Sequence, residues 1–199
     1  MPRPQRQDDS PISILRAVLT PAEVRRLHEV SKALEEQQAP LGYDVTLRPA
    51  EDLPFGLRPP HESLFLHRDG FIARACPDIF DKLIRAARSH LASEKPLGVR
   101  TVEYHTYRVG GALLDPEHCD MGSVTTMSCL LSDPTAFVGG VFTTFQCGKA
   151  VLHNDLKCGD AICFESERVH NVSAVTSGSR HSLVVELWES GDNNHDRHS

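Results

Sequence analysis

The stretch "HNVSAVTSGSRHSLVVELW", residues 170–188, contains two β-like runs joined at a Ser-Gly turn. Its second run is strongly apolar, as expected of a strand buried in a core. Similar short runs, separated by Gly, Pro and Asp, precede it from Arg100 onward. We predict strands at about residues 100–109, 123–132, 136–146, 149–153, 160–165, 168–176 and 180–188. This spacing predicts an all-β sandwich or barrel, closed as a roll of two packed sheets. Gly139-Gly140 predicts a tight strand entry or a bulge.

The segment before residue 100 carries two helix signals. Thr20-Pro-Ala-Glu23 has the pattern of a capping box with proline at the first helical position, so a helix is predicted from there to about Gln37. A second helix is predicted near Pro77, where apolar residues recur at helical spacing. Residues 39–72 are assigned only to loops and short strands. We therefore expect a mainly β fold in which two N-terminal helices pack on one sheet.

The chain divides by composition into four parts. A flexible tail is expected at residues 1–12 and another at 190–199, because both are polar and lack an apolar anchor. Between them we expect a helical part at 13–99 and the β core at 100–189. At 199 residues these two parts fit a single domain.

Charge and composition exclude several classes of function. The net charge of −6 argues against a nucleic-acid-binding surface, which needs a basic patch. No secretory signal and no apolar run of roughly 20 residues is evident, so we expect a soluble cytoplasmic protein without membrane association. The six cysteines lie at irregular spacings and are expected to be reduced thiols. A zinc site from His153, Cys158 and Cys163 is conceivable, although its spacing fits no familiar template.

Three His-x-Asp pairs are candidates for two ligands of a metal. They are His67-Arg-Asp69, His118-Cys-Asp120 and His153-Asn-Asp155. An iron site of two His and one carboxylate takes its third ligand from a distant strand and leaves one face of the metal open. The middle pair is followed by His170, with Arg180 ten residues further on. The first pair lacks a cation at the corresponding position, and the third lies too close to His170 for strands to intervene.

Arg180 stands at the start of the most apolar strand. An inward-facing Arg in such a run requires an anionic partner, and a carboxylate bound in bidentate fashion suits its planar fork. His181 alternates to the opposite face and is not expected to take part in the chemistry.

These residues carry a family resemblance, which rests on four blocks in order: "YRVGGALLDPEHCD", "LLSDPTAFVGGVFTTF", "GDAICF" and "HNVSAVTSGSRHSLVVELW". Together they resemble the catalytic domain of the Fe(II)- and 2-oxoglutarate-dependent dioxygenases, in its prolyl and lysyl hydroxylase-like branch. The likeness covers about residues 100–188. The stretch "VLTPAEVRRLHEV" is similar, more loosely, to the helix that opens many prolyl 4-hydroxylase domains.

The resemblance implies a double-stranded β-helix (jelly roll) with iron at the open end of the barrel. His118, Asp120 and His170 match the metal triad of the family. Arg180 matches the residue that pairs with the far carboxylate of 2-oxoglutarate. The same matching makes Ser182 a hydroxyl helper of that cation and Tyr107 a residue that lines the co-substrate pocket.

The implied activity is hydroxylation of an unactivated C–H bond with release of succinate and CO2. The implied cofactors are Fe(II), 2-oxoglutarate as co-substrate and O2, with ascorbate as a candidate reductant. The substrate is a protein side chain of the prolyl or lysyl type, or a small molecule. Two departures, "DMGSVTT" after the Asp and Val141 after Gly-Gly, weaken any prolyl specificity. A non-catalytic or 2-oxoglutarate-independent jelly-roll metal-binding module is the alternative.

Overall fold

The computed structural model describes residues 10–43, 60–91, 96–115 and 117–189. Three helices are present in these ranges: α1 (Pro21–Glu35), α2 (Phe71–Ala75) and α3 (Pro77–Arg88). The strands are β1 (Ser13–Leu15), β2 (Leu41–Tyr43), β3 (His61–Phe65), β4 (Gly98–Tyr107), β5 (Thr125–Leu130), β6 (Phe137–Gly139), β7 (Phe142–Gln146), β8 (Lys149–His153), β9 (Ala161–Glu165), β10 (His170–Val172), β11 (Val175–Gly178) and β12 (Arg180–Trp188). None of these helices combines the length and the apolar character needed to cross a membrane.

The large sheet has seven antiparallel strands in the order β1-β9-β5-β12-β4-β3-β2. The apolar strand β12 lies at its centre, between β5 and β4, as expected of the most hydrophobic run. Because side chains alternate along a strand, Arg180 and Ser182 face one side of the sheet while Leu183 and Val185 face the other. At β12 one face of the sheet therefore carries polar side chains and the other face carries apolar ones.

The helices cover the apolar face of the large sheet. Their buried side chains include Leu27 of α1 and Leu83 of α3, which belong to the same core cluster as Leu183 and Val185. The predicted capping box of α1 is present, with the backbone N–H of Thr20 donating to Glu23 and that of Glu23 donating to Thr20. The prediction of N-terminal helices packed on one sheet is confirmed.

The other face of the large sheet meets the shorter strands. These form a three-stranded sheet, β10-β7-β8, and a two-stranded sheet, β11-β6. Phe142 and Val172 of the short strands share a buried cluster with Ile162 and Phe164 of the large sheet. Two layers of antiparallel strands thus pack face to face, and the predicted jelly roll is confirmed.

Two predicted strands are each broken into two. The run 136–146 is interrupted after Gly139, and the run 168–176 is interrupted after Val172. Gly139 has φ +80°, and a Cβ there would lie 2.1 Å from the carbonyl oxygen of Ala174. Only glycine allows the backbone to approach so closely, so the chain bends where a continuous strand was predicted.

The N-terminal part contributes strands as well as helices. β1 pairs with β9, and β3 pairs with β4, so two segments of residues 13–99 extend the large sheet. The short helix α2 was not predicted. Ser10, placed by sequence in a flexible tail, accepts hydrogen bonds from the buried Arg168. The remaining tail predictions, at residues 1–9 and 190–199, lie outside the described residues, as do residues 44–59 of the segment that was assigned to loops.

Candidate active site

Two segments that are distant in sequence meet at the end of the barrel. His118 and Asp120 lie in the connection from β4 to β5, and His170 begins β10. The backbone N–H of His170 donates to the carbonyl of His118 over 3.1 Å, and that of Asp120 donates to the carbonyl of Ser166 over 2.7 Å. These backbone bonds fix the two segments against each other before any ligand binds.

The side chains of His118, Asp120 and His170 converge on one point. Their candidate ligand atoms all lie within 4.8 Å of one another, and no other such group of three was found in the described ranges. The His118 Nε2 lies 3.3 Å from Asp120 Oδ1, and the His170 Nε2 lies 3.7 Å from Asp120 Oδ2. The two imidazole rings are nearly perpendicular, at 80°. Two nitrogens and a carboxylate arranged in this way could hold a divalent metal ion.

The tautomer of His170 is set by its backbone neighbour. Its Nδ1 lies 3.1 Å from the carbonyl oxygen of Arg168, and a carbonyl can only accept. In the neutral ring Nδ1 therefore carries the hydrogen, and the lone pair of Nε2 faces Asp120. A hydrogen bond from the ring nitrogen that does not face the metal is the usual way in which a protein orients a metal-binding imidazole.

Aromatic side chains close one side of this group. The rings of Phe164 and Phe142 have their centroids 4.9 and 5.7 Å from that of His170. Both phenylalanines are buried in the cluster between the two layers of strands. They leave the triad with an apolar wall on one side and an open cavity on the other.

Arg180 lies in the same cavity, and it is buried with 3 % of its surface exposed. Its Nη1 donates to Ser182 Oγ over 2.9 Å, and its guanidinium lies 5.3 Å from the centre of the Tyr107 ring. No carboxylate among the described residues forms an ion pair with it. Burial lowers the pKa of Arg180 from its ordinary value. The structure thus brings together all six residues singled out from the sequence: His118, Asp120, His170, Arg180, Ser182 and Tyr107.

The cavity has a polar wall that sequence reasoning missed. His105 of β4 bridges Glu103, at 3.1 Å, and His61 of β3, at 2.9 Å. The His61 ring stacks on Tyr107 with centroids 4.0 Å apart. Burial, reinforced by the neighbouring His105, lowers the pKa of His61 well below its ordinary value. Positions 103 and 105 share a strand face with 107, so alternation from Tyr107 could have indicated them.

The loop after Asp120 is anchored from behind. Arg100 donates to the Met121 carbonyl and to Ser123 Oγ, and Ser123 in turn donates to the buried Glu186 over 2.6 Å. The Met121 side chain is 70 % exposed at this loop. These hydrogen bonds fix the backbone of residues 121–123, which directly follow Asp120.

The other residues considered from the sequence contact different groups. His153 Nε2 lies 2.9 Å from the hydroxyl of Thr144, and Asp155 pairs with Arg16 on the surface. Cys158 is exposed, whereas Cys163 is buried in the helix-side core. His181 lies on the helix side of the large sheet, as alternation predicted, where its Nδ1 is 3.1 Å from the hydroxyl of Tyr104.

Comparison with solved structures finds the same architecture. An oxidoreductase of the 2OG-Fe(II) oxygenase family from Burkholderia pseudomallei superposes with a TM-score of 0.62 at 15% identity, over 96% of this chain and 91% of that chain. A Trichoplax adhaerens prolyl hydroxylase, in complex with a hypoxia inducible factor peptide fragment, gives 0.64 at 13% identity, over 92% and 86%. The chain has the fold of the 2OG-Fe(II) oxygenases.

This fold also includes enzymes with small-molecule roles. SnoN, a non-heme alpha ketoglutarate dependent epimerase from nogalamycin biosynthesis, superposes with a TM-score of 0.64 at 15% identity, over 92% of this chain and 80% of that chain. No protein-family model matches the sequence, and no curated protein matches it either. The 2OG-Fe(II) oxygenase fold is therefore established by structure, and the activity has to be argued from the residues of the cavity.

Proposed function

We propose that this protein is an Fe(II)- and 2-oxoglutarate-dependent dioxygenase that hydroxylates an unactivated C–H bond. The observation that carries this proposal is Arg180, which is buried in the cavity that contains the His118, Asp120 and His170 group. Burying a guanidinium costs several kcal/mol unless an anion compensates it. No described residue supplies a carboxylate to this cation, so a dicarboxylate ligand with one end at the metal and the other at Arg180 fits the cavity.

The donor set fits iron. Two imidazole nitrogens and one carboxylate are the protein ligands of non-heme Fe(II) oxygenases, which leave coordination positions open for co-substrate and O2. The neutral tautomer inferred for His170 presents a lone pair to the same point. Bound iron would supply activation of O2, with one oxygen atom entering succinate and the other entering the product.

Each protein group then has a defined role. His118, Asp120 and His170 would hold the metal, while Arg180 would bind the far carboxylate of 2-oxoglutarate with a bidentate fork. Ser182 and Tyr107 keep the guanidinium in place through a hydrogen bond and a ring contact. Phe142 and Phe164 exclude water from one side of the metal. The chain thereby fixes geometry and the cofactor performs the difficult chemistry.

Spectroscopy on the folded protein tests this function. Anaerobic addition of Fe(II) and 2-oxoglutarate should give a weak visible charge-transfer band, because the co-substrate chelates the metal. Addition of O2 should then release succinate. Iron-loaded, folded protein that shows no such band would overturn the proposal and favour a metal-binding module that does not use 2-oxoglutarate.

We propose a peptide, a protein side chain of the prolyl or lysyl type, or a small molecule as substrate. The prolyl hydroxylase and the epimerase that share the fold support both classes. Succinate release over proline- and lysine-containing peptides and small metabolites distinguishes them, and the same assay with and without ascorbate tests that reductant. A reducing, cytosol-like compartment is supported by six free cysteines, and the acidic net charge argues against nucleic acid as substrate.

A further inference from the structure

Thr126, on β5, lies directly behind the candidate metal ligand Asp120. Its hydroxyl oxygen is 2.7 Å from Asp120 Oδ2 and 2.9 Å from the hydroxyl of Ser166. Thr126 and Ser166 are each only 1 % exposed. The three residues therefore interact without competition from bulk water, where such bonds are stronger than at a surface.

The chemistry of the groups fixes the direction of these bonds. An ionised carboxylate can only accept, so the Thr126 hydroxyl donates to Asp120. A hydroxyl has one hydrogen, so Thr126 must accept from Ser166. The carbonyl of Ser166 accepts from the backbone N–H of Asp120 over 2.7 Å, which closes the ring of bonds. Each member of the ring holds the next one in place.

We propose that Thr126 is a positioning residue that reserves Oδ2 of Asp120, so that this carboxylate binds the metal through Oδ1. Oδ1 lies 3.3 Å from His118 Nε2, which is a shorter separation than the 3.7 Å between Oδ2 and His170 Nε2. The inference rests on the proposed function, in which Asp120 is a ligand of iron. Hydrogen bonds behind metal ligands commonly change metal affinity by about 10- to 100-fold.

Loss of this donor would change how Asp120 presents its oxygens. Without the Thr126 hydroxyl, Oδ2 is released and the carboxylate rotates or offers both oxygens to the metal. A second oxygen at the metal takes a position that the co-substrate needs, so binding of 2-oxoglutarate suffers as well as binding of iron.

Three variants separate this role from simple packing. Thr126→Val removes the donor but keeps the shape and the β propensity. Thr126→Ser restores a hydroxyl. Thr125→Val is the matched control, because Thr125 is the preceding residue on the same strand and is fully buried, but its hydroxyl donates to the carbonyl of Phe164 instead of to Asp120.

The readouts are anaerobic Fe(II) titration and the 2-oxoglutarate-dependent visible band. We expect Thr126→Val to weaken Fe(II) binding by about 10- to 100-fold and to reduce the band at saturating iron. Thr126→Ser should stay within a few-fold of the parent protein, and Thr125→Val should not change either readout.

Thr126→Val with parental iron affinity and a parental band overturns the proposal, as does equal weakening in Thr125→Val. If Thr126→Val does not fold, Ser166→Ala removes the hydroxyl from which Thr126 accepts, and it should weaken Fe(II) binding several-fold. Parental affinity in Ser166→Ala would then overturn the proposal. A parent protein that binds no Fe(II) refutes the proposed function itself, and the positioning role with it. Failure of the positioning role and failure of the proposed function therefore give different experimental results.

Discussion

The guanidinium of Arg180 lies 5.3 Å from the centre of the Tyr107 ring, and the two residues face each other across the paired strands β12 and β4. The ring is itself held by stacking on His61. A cation–π contact stabilises a charge but does not neutralise it. The pair therefore forms a rigid cationic end of the cavity, to which a carboxylate can bind.

Replacement of Arg180 should mainly affect the co-substrate. Arg180→Met removes the charge at similar length, and we expect the half-saturating 2-oxoglutarate concentration to rise roughly 100-fold, equivalent to about 3 kcal/mol. Arg180→Lys keeps the charge but loses the planar fork, so an intermediate increase is expected. Anaerobic titration of the visible band measures both. Arg26→Ala, at an exposed ion pair with Glu29, serves as control. An unchanged requirement in Arg180→Met would refute the co-substrate assignment.

The metal triad can be tested against the third His-x-Asp pair, His153-Asn-Asp155, which has the same sequence pattern. Asp120→Ala and His170→Ala should each abolish succinate formation and weaken Fe(II) binding, because each removes a proposed ligand. Asp155→Ala alters the other carboxylate of the same sequence pattern, which pairs with Arg16 on the surface. The Asp155→Ala variant should keep succinate formation and Fe(II) affinity within about two-fold, since exposed ion pairs contribute little. Loss of iron binding in Asp155→Ala alone would show that the wrong pair had been chosen.

Alanine substitutions at Gly140 and Gly148 distinguish the effect of backbone strain from the effect of a contact with Arg180. Gly140 has φ +60°, and a Cβ there would lie 2.8 Å from Arg180 Cδ; Gly148 has φ +71° with nothing within 4 Å. Both alanine variants should lose about 1 kcal/mol of unfolding free energy from the left-handed backbone. Only Gly140→Ala should also weaken 2-oxoglutarate binding, because it displaces the guanidinium. Chemical denaturation and titration of the visible band measure the two effects, and equal binding in both variants would contradict the prediction.

His28 of α1 and His181 of β12, whose rings are in contact, should make stability depend on pH. Burial lowers the pKa of His181 to about 4 and also lowers that of His28. Between pH 6.5 and 4 the unfolded chain binds a proton at His181 that the folded chain does not bind, so the free energy of unfolding falls as the pH falls. Thermal unfolding at pH 7.5 and 5.5 should show this decrease. His181→Asn keeps a donor towards Tyr104 but cannot titrate, and its decrease should be smaller. An identical decrease would assign the effect to other groups.

The sequence predicted the centre of the site better than its surroundings. His118 and Asp120 were selected from three His-x-Asp pairs because His170 and Arg180 follow them in the order of the family that the sequence resembles. Alternation from Tyr107 could have indicated His105, but its contact with His61 depends on the register between β3 and β4, which no local pattern encodes. The irregularity at Gly139-Gly140 was predicted, but the division of the run into two strands was not, since a Gly-Gly pair does not indicate the close approach to the Ala174 carbonyl.

The three-residue strand β1 protects the large sheet at its outer edge. It pairs with β9 from Cys163 to Ala161, and the following Arg16 and Ala17 bind the carboxylate of Asp160. Without β1, the backbone N–H and C=O groups of β9 along that edge would be open to another chain, and exposed edges of this kind promote aggregation. We therefore expect this three-residue strand to be a determinant of solubility, and a truncation past Ser13 to yield aggregated protein even though no residue of the cavity is removed.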